Sequence, residues 1–370
     1  MQNQRKIRKQ PSFMPPNVPR FAREGKSPQP PLFPVRDAHL AQFTQKPHHT
    51  RPDSPGQNER MSTVAVIDIG SNSVCLLVAR RGDDGVVTII DKLKDTPRLR
   101  DEIGADGMLS ETGSARTLAA LRLFAQVIHQ HGARTRVVAT AALRAAVNGQ
   151  DFIDRAQREA GLRVEIVTGD EEARLAFLGA LSGLGRLDGE TLCADIGGGS
   201  TELVLGLNGV AMETVSKPLG ALTITRAWLS PDPLTPRALE QARTAVRATL
   251  EPELAMFRGR QLHAVATSGT IQRVARIACM ARGEMRSDVH GLTLSADALR
   301  QTVAQMANAP TLLDRLRIPG MDPSRADILL GGALIYEALT DLLDLPEWTV
   351  SMAGLRMGVI HELLDPRQKA

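Results

Sequence analysis

Two short stretches of this 370-residue chain carry residue types in a spacing suited to phosphate chemistry. Asp195-Ile-Gly-Gly-Gly-Ser200-Thr-Glu202 reads as the end of an apolar strand, a glycine turn and a second strand starting at Glu202. Gly197, Gly198 and Gly199 remove every Cβ from the turn, so the backbone can adopt positive φ and press its N–H groups on a ligand. Such a nest of N–H groups binds anions, phosphate above all. Asp195 before the turn and Glu202 after it are placed for a divalent cation, and Ser200 adds a hydroxyl. A glycine hairpin without ligand fits the same letters, because a lone glycine turn is a weak motif.

A second copy shifts the balance. Asp68-Ile-Gly70-Ser71-Asn72-Ser73 has the same grammar 127 residues earlier, again between apolar strands. Two phosphate-type turns at domain-length spacing point to a duplicated domain holding a ligand between its halves. Three further segments can contribute. Arg144, after the strand Val137–Thr140, could meet an oxyanion or be an exposed helix arginine. Gly169-Asp170-Glu171-Glu172 opens a helix with Asp170 as its expected cap. Its acids are either structural, stabilised by the helix dipole, or one of them orients a water. Ser268-Gly269-Thr270 joins an apolar strand to a helix and is either an anion-binding N-terminus or a simple cap.

Elements that would position these residues can be read in order. Strands are expected at 64–69, 74–80 and 86–91, then a helix capped by Ser110 to about His131. His129 and His131, two apart, point to different helix faces and make a poor metal pair. Strands at 137–140 and 163–168 flank a helix over 151–161. The second half has strands near 191–196, 201–207 and 210–217, helices near 234–257, 296–308 and 323–343, a last strand at 349–354 and a final helix at 355–364. This is a mixed sheet flanked by helices, written twice.

Composition sets bounds. Residues 1–61 hold 11 of the 22 prolines and 11 Lys and Arg against 4 acids, a net charge of +7 within a chain total of +4. They read as a disordered basic tail, and Met61 directly precedes the first strand. The remainder carries −3, so the pI of about 9.2 is no argument for nucleic-acid binding. With aromatics at 3%, a stacking-based nucleic-acid or glycan binder is disfavoured. No apolar run approaches the ~18 residues of a membrane span, and no secretory leader is visible. Cys75, Cys193 and Cys279, far apart and in apolar contexts, suggest buried thiols in a cytoplasmic protein.

On these motifs the chain resembles the exopolyphosphatase / guanosine pentaphosphate phosphohydrolase family, from about Val64 to Leu364. The two turns, Leu143-Arg144, Glu171-Glu-Ala-Arg174, Ala266-Thr-Ser-Gly-Thr-Ile271, Val289-His-Gly291, Arg325-Ala-Asp327 and Gly354-Leu-Arg356 follow the family order. Met357 departs from it, standing where the family often has Glu. The resemblance implies an α/β fold of two ribonuclease-H-like domains, of the actin, sugar kinase and heat-shock ATPase superfamily, around an interdomain cleft. The implied divisions are 62–176, with the helix 354–366 returning to it, and 177–353. It also implies Glu172 as base and Arg144 as neutraliser of developing charge. Gly70, Ser71, Asn72, Ser73, Gly197, Gly198, Gly199, Ser200, Ser268, Gly269 and Thr270 would line the phosphates, and Mg²⁺ would sit on Asp68, Asp195 and Glu202. The implied substrate is inorganic polyphosphate, short chains preferred, or guanosine pentaphosphate of the stringent response, with no membrane or specific nucleic-acid partner and a homodimer left open. A kinase or ATPase of the superfamily is disfavoured by Glu172 with Asn72, which suit attack by water. A non-catalytic guanosine tetraphosphate sensor is disfavoured by the full set of carboxylates.

Overall fold

The computed structural model describes residues 63–365 except 84 and 186. The expected basic tail lies outside the described residues. The chain builds two sheets in succession. The first has β1 (Thr63–Ile69), β2 (Val74–Arg81) and β3 (Val87–Asp95), then α1 (Glu111–His131), β4 (Arg134–Ala139), α2 (Ala141–Ala145), α3 (Gly149–Ala160) and β5 (Val164–Ile166). Next comes α4 (Gly169–Ser182), then β6 (Glu190–Ile196), β7 (Thr201–Leu207), β8 (Val210–Lys217), α5 (Ala221–Ile224), α6 (Pro236–Leu250), β9 (Leu262–Thr267) and α7 (Gly269–Ala281). The chain closes with β10 (Thr293–Ser295), α8 (Ala296–Ala307), α9 (Leu312–Leu316), α10 (Leu329–Leu342), β11 (Glu347–Val350) and α11 (Leu355–Leu364).

Duplication is visible in the strand order. The first sheet runs β3-β2-β1-β4-β5 and the second β10-β11-β9-β6-β7-β8, so the second repeats the first with β10 added at one edge. β1 and β6 are the central strands, antiparallel to the next strand and parallel to the following one. Strands buried on both faces read as unbroken apolar runs, as Val64–Ile67 and Leu192–Ala194 do. The register sets Asp68 opposite Cys75 and Asp195 opposite Glu202. Each half therefore delivers one Asp at the end of its central strand, and only the second half adds a facing carboxylate.

Local chemistry explains most boundaries and corrects several. Ser110 caps α1 by accepting from Gly113 N–H, and Gly132 ends it in a left-handed conformation. α4 is capped by Thr168, which accepts from Glu171 N–H; Asp170, the expected cap, lies inside the helix and accepts from the Thr214 hydroxyl at 2.7 Å. The helical stretch expected over 234–257 stops at Leu250, because Pro252 supplies no N–H and disfavours helix at the residue before it. The stretch expected from 323 becomes turns up to α10, and the last strand is Glu347–Val350, not 349–354.

α4 holds the two sheets together. Leu175 and Ala176 pack with Val64, Val66 and Leu77 of the first sheet, whereas Phe177 and Ala180 pack with Cys193, Val204 and Val265 of the second. α11 crosses α4 at glycines. A Cβ on Gly358 would lie 2.0 Å from the Leu175 carbonyl oxygen, and one on Gly179 would lie 1.9 Å from that of Gly354. The outer face of the second sheet is covered by α6, α7 and α10, where Tyr336 meets Trp348 edge to face at 5.4 Å. All three cysteines are free and buried. Among the described residues no helix is long and apolar enough to cross a membrane.

Candidate active site

The two expected phosphate turns meet. Gly70 N–H donates to Ser73 O at 3.0 Å and Gly197 N–H to Ser200 O at 2.9 Å, so each turn is closed in the same way. The turns also touch: a Cβ on Gly198 would come within 3.4 Å of the Cβ atoms of Ser71 and Asn72, and one on Gly199 would be 2.3 Å from Ser71 Oγ. None of Gly70, Gly197, Gly198 or Gly199 adopts positive φ. The freedom for left-handed backbone is therefore not used. These glycines are required by close approach, since any side chain at Gly199 would drive the turns apart.

Backbone polarity in both turns is sorted. The carbonyls of Ser71 and Asn72 accept from Arg100 and Arg98 N–H, and those of Gly197 and Gly198 from Ala221 and Leu222 N–H. With the carbonyls paired on the far side, the N–H groups of Ser71, Asn72, Gly198 and Gly199 have no partner among the described residues. Ser71 Oγ and Asn72 Oδ1 are also buried and unpartnered. Orphaned buried polar groups cost stability unless something satisfies them, and an anion between the turns would do so for the donors.

Carboxylates surround this point. Glu172, buried on the first turn of α4, accepts from Arg144 Nη1 at 2.9 Å, and the same nitrogen donates to Val167 O at 2.9 Å. Burial pushes its pKa up to about 7 against the opposing charge of Arg144, with Asp195 and Asp68 adding to the rise. Burial and then Asp68 push Asp195 up to about 7, and burial raises Asp68 despite Arg356, whose Nε is 4.0 Å from Asp68 Oδ2. Glu202 is raised by burial and by Glu172, and it accepts from the Ser216 hydroxyl at 3.0 Å. Glu171, one residue away, belongs elsewhere: it pairs with Arg174 at 2.9 Å and Arg136 at 3.4 Å, beside the buried Glu362 that both arginines also hold.

Among the described residues, no three His, Cys, Asp or Glu side chains close on one point tightly enough to chelate a metal directly. Asp68, Asp195 and Glu202 thus do not form a ready-made three-ligand cage. The donor set still fits a hard divalent cation held by one or two carboxylates and several waters, because it is all oxygen and short of counter-charge. Glu172 and Asp195 have folded pKa values raised above the unfolded ~4, so the stability they contribute is full below pH ~4 and is lost as pH rises through about 7. A cation that offsets the charge acts only where the carboxylates are ionised. Mg²⁺ is therefore expected to raise the melting temperature more at pH 8 than at pH 5.5; equal shifts at both values would show that these carboxylates do not hold it.

The third segment is strained. Ser268 has φ 102° and ψ 162°, a region almost confined to glycine, and its hydroxyl accepts from Thr270 N–H at 3.1 Å. The Thr270 hydroxyl, expected on the phosphate, instead donates to Ile196 O at 3.1 Å. Gly269 keeps room for Arg273: a Cβ there would be 2.9 Å from Nη1.

The sequence motifs assign no role to Lys94, Arg98 or Arg273, and Arg325 enters only within Arg325-Ala-Asp327. Arg325 donates to Ser73 Oγ at 3.4 Å, keeps a buried Nε without partner, and is pushed down to about 10 by burial and then by Arg273. Lys94 is lowered by burial and then by Arg325 and Arg273, so these three cations share one locality beside the first turn. Arg98 binds Asp327 with both terminal nitrogens, and Arg226 donates to the carbonyls of Arg100 and Asp101, tying the loop after β3 to the second half. The available signal was the run Lys92-Leu-Lys-Asp-Thr-Pro-Arg-Leu-Arg100, four cations in nine residues. A cavity of about 440 Å³ opens against the second turn, lined by Arg100, Arg144, Gly199, Ser200 and Ser216 among others.

Two N–H-lined turns facing each other, with a buried glutamate at their side, define a phosphate-handling α/β protein of two duplicated halves. The profile of the Ppx/GppA phosphatase family matches residues 77–367, and the chain belongs to that family. The match begins beyond the first turn, so Asp68–Ser73 rests on its own geometry. Exopolyphosphatase 1 of Mycobacterium tuberculosis is 33% identical over 305 residues, 82% of this chain and 88% of that protein. The crystal structure of the Aquifex aeolicus Ppx/GppA family member is 30% identical, covers 83% of this chain and 99% of its own, and superposes with a TM-score of 0.69. An exopolyphosphatase from Cytophaga hutchinsonii is 26% identical over 82% of this chain and 98% of its own, with a TM-score of 0.75. The fold is the one expected, two ribonuclease-H-like α/β halves.

Proposed function

We propose that this protein is an exopolyphosphatase that hydrolyses the terminal phosphoanhydride of inorganic polyphosphate. The observation that carries the reading is the pair of touching turns whose carbonyls are tied back and whose N–H groups are free for an anion. The curated relative named exopolyphosphatase, of nearly the same length, supports the same substrate class. The terminal phosphoryl group would rest between the turns on the N–H groups of Ser71, Asn72, Gly198 and Gly199, with the hydroxyls of Ser73 and Ser200. Glu172 takes a proton from the water as its oxygen bonds to the terminal phosphorus, the bond from that phosphorus to the bridging oxygen breaks with its electron pair going to the shortened chain, and orthophosphate and that chain leave. Arg144 holds Glu172 in place and offers its remaining donors to the phosphoryl oxygens. When bound, Mg²⁺ held by Asp68, Asp195 and Glu202, largely through water, would supply positive charge to those oxygens.

Chain length follows from the cations at hand. Lys94 and Arg325 are gathered at one place to grip the phosphates next to the scissile one, with Arg273 beside them but paired to Asp322 at 2.6 Å. Short polyphosphate is therefore the preferred substrate. Arg325→Ala is expected to raise KM for short polyphosphate by about tenfold, a charge-assisted contact of ~1.4 kcal/mol, with kcat within about threefold. Its melting temperature should not fall, because a cation crowded by cations is removed; an unchanged KM would take Arg325 out of the substrate path.

The reading as a whole is tested by phosphate release measured side by side on short polyphosphate, long polyphosphate and guanosine pentaphosphate, with and without Mg²⁺. The expected order is short polyphosphate first, with no release from any substrate when Mg²⁺ is absent. Release from guanosine pentaphosphate alone would replace polyphosphate by the nucleotide. No release from any of the three would leave a binding protein.

A further inference from the structure

A second cavity, of about 610 Å³, is separate from the first. The N-terminal end of α4, Gly169 and Asp170, lines the first cavity, and its C-terminal end, Ser182 and Gly183, lines the second. Thirteen residues at 1.5 Å each place those two walls about 20 Å apart. The cavities have no lining residue in common.

Among its described lining residues the charged side chains are Lys92 and Arg356, with His290 and His361 beside them and no Asp or Glu. His290 is already committed, its Nδ1 accepting from Met352 N–H at 3.1 Å and its Nε2 lying 2.9 Å from Gly183 O. The Arg356 guanidinium makes no hydrogen bond among the described residues; it pairs with Asp68 at 4.0 Å, and Asp195 also lies close enough to act on its charge. Apolar walls open to solvent surround it, with Ile89 40% and Met352 38% exposed. Exposed apolar surface beside a cation whose donors are not hydrogen-bonded is the combination that small-molecule sites present, and the volume lies in their usual range of roughly 300–1,000 Å³.

We propose that this cavity binds a small organic anion, one acidic group on an apolar or aromatic body. The acid meets Arg356, and the body lies against Ile89 and Met352. The site communicates with the catalytic carboxylates through one side chain, because Arg356 is shared with Asp68. An anion that draws Arg356 toward itself changes the charge balance at Asp68, so the two sites are coupled in binding. The inference does not depend on which phosphoanhydride is cleaved.

The probe for the test is 8-anilinonaphthalene-1-sulfonate, titrated into the full chain and read by fluorescence. One saturable site per chain is expected. Lys92→Glu and Ile89→Asp, both at exposed positions where folding is indifferent, should each weaken it by about tenfold or more, since like charge is set against the sulfonate. Glu172→Gln should bind the probe as the wild type does, and the neutral analogue N-phenyl-1-naphthylamine should bind at least about tenfold more weakly. Unchanged affinity in both cavity variants would put the probe elsewhere and overturn the proposal. Equal binding of the neutral analogue would overturn it too, leaving an apolar crevice with no preference for anions.

Discussion

Glu172→Gln is expected to lower turnover by about 10²-fold or more while substrate binding persists. The amide keeps the size of the carboxylate and can still accept from Arg144, but it cannot take a proton from water. The neighbouring Glu171 is the control, and the structure separates the two sharply. Glu172 is buried, pairs with Arg144 and is held near a pKa of 7 by burial. Glu171 is held below its usual range by Arg174 and Arg136 despite burial, so it is the poorer base. Glu171→Gln should keep most of the turnover and lose melting temperature instead, because Arg136 and Arg174 lose a partner they share with Glu362. The wild type should gain activity as pH rises through about 7, since the base must be ionised, and the Gln variant should lose that limb. Kinetics on short polyphosphate across pH 5.5–8.5 check both statements. A dead Glu171→Gln beside an active Glu172→Gln would reverse the assignment.

The duplicated turns were legible because duplication is a pattern over the whole chain: a motif weak once is informative twice, and strand order repeats with it. The reason for their glycines was not legible. Gly198 and Gly199 are small because Ser71 and Asn72 of the other half press on them, and no local rule about φ contains that contact. The cap of α4 was readable and was misread: Thr168-Gly-Asp-Glu171 has the Ser/Thr-x-x-Glu spacing of a capping box, and its threonine does accept from Glu171 N–H. Lys94, Arg98 and Arg273 look like ordinary surface cations in sequence, and Arg325 stands out only through the motif Arg325-Ala-Asp327. Their meaning comes from tertiary contact, as when Arg98 finds Asp327 229 residues away. The acids at 68, 195 and 202 stand beside the turns in sequence, but spacing alone does not say whether they close on one point, and among the described residues no group of three metal-ligating side chains does.

Gly358→Ala is expected to cost about 1–3 kcal/mol of stability and most of the activity, although it adds one methyl group far from any substrate. The added carbon would stand 2.0 Å from the Leu175 carbonyl oxygen, 2.8 Å from its carbonyl carbon and 3.1 Å from its Cα. All three are backbone atoms of α4, so no side chain can rotate away. Gly179 faces the same crossing from α4, where a Cβ would be 1.9 Å from Gly354 O and 2.7 Å from Gly358 N. Relief requires the two helices to part by on the order of 1 Å to restore ordinary contact distances. α4 carries Glu172 and α11 carries Arg356, while Gly354 ahead of α11 lies against Asp195 and Thr267. Parting the helices therefore displaces the base and the counter-charge of Asp68 together, and a misplacement of about 1 Å can cost 10²-fold in rate. Gly179→Ala should behave alike. The double variant should lose less than the two single losses added, because one separation relieves both clashes. Thermal melts and phosphate release on the three variants check this. A Gly358→Ala protein that melts within about 1 °C of the wild type, where 1 kcal/mol is worth roughly 2–4 °C, and keeps full turnover would show that the α4–α11 crossing does not set the geometry of the site.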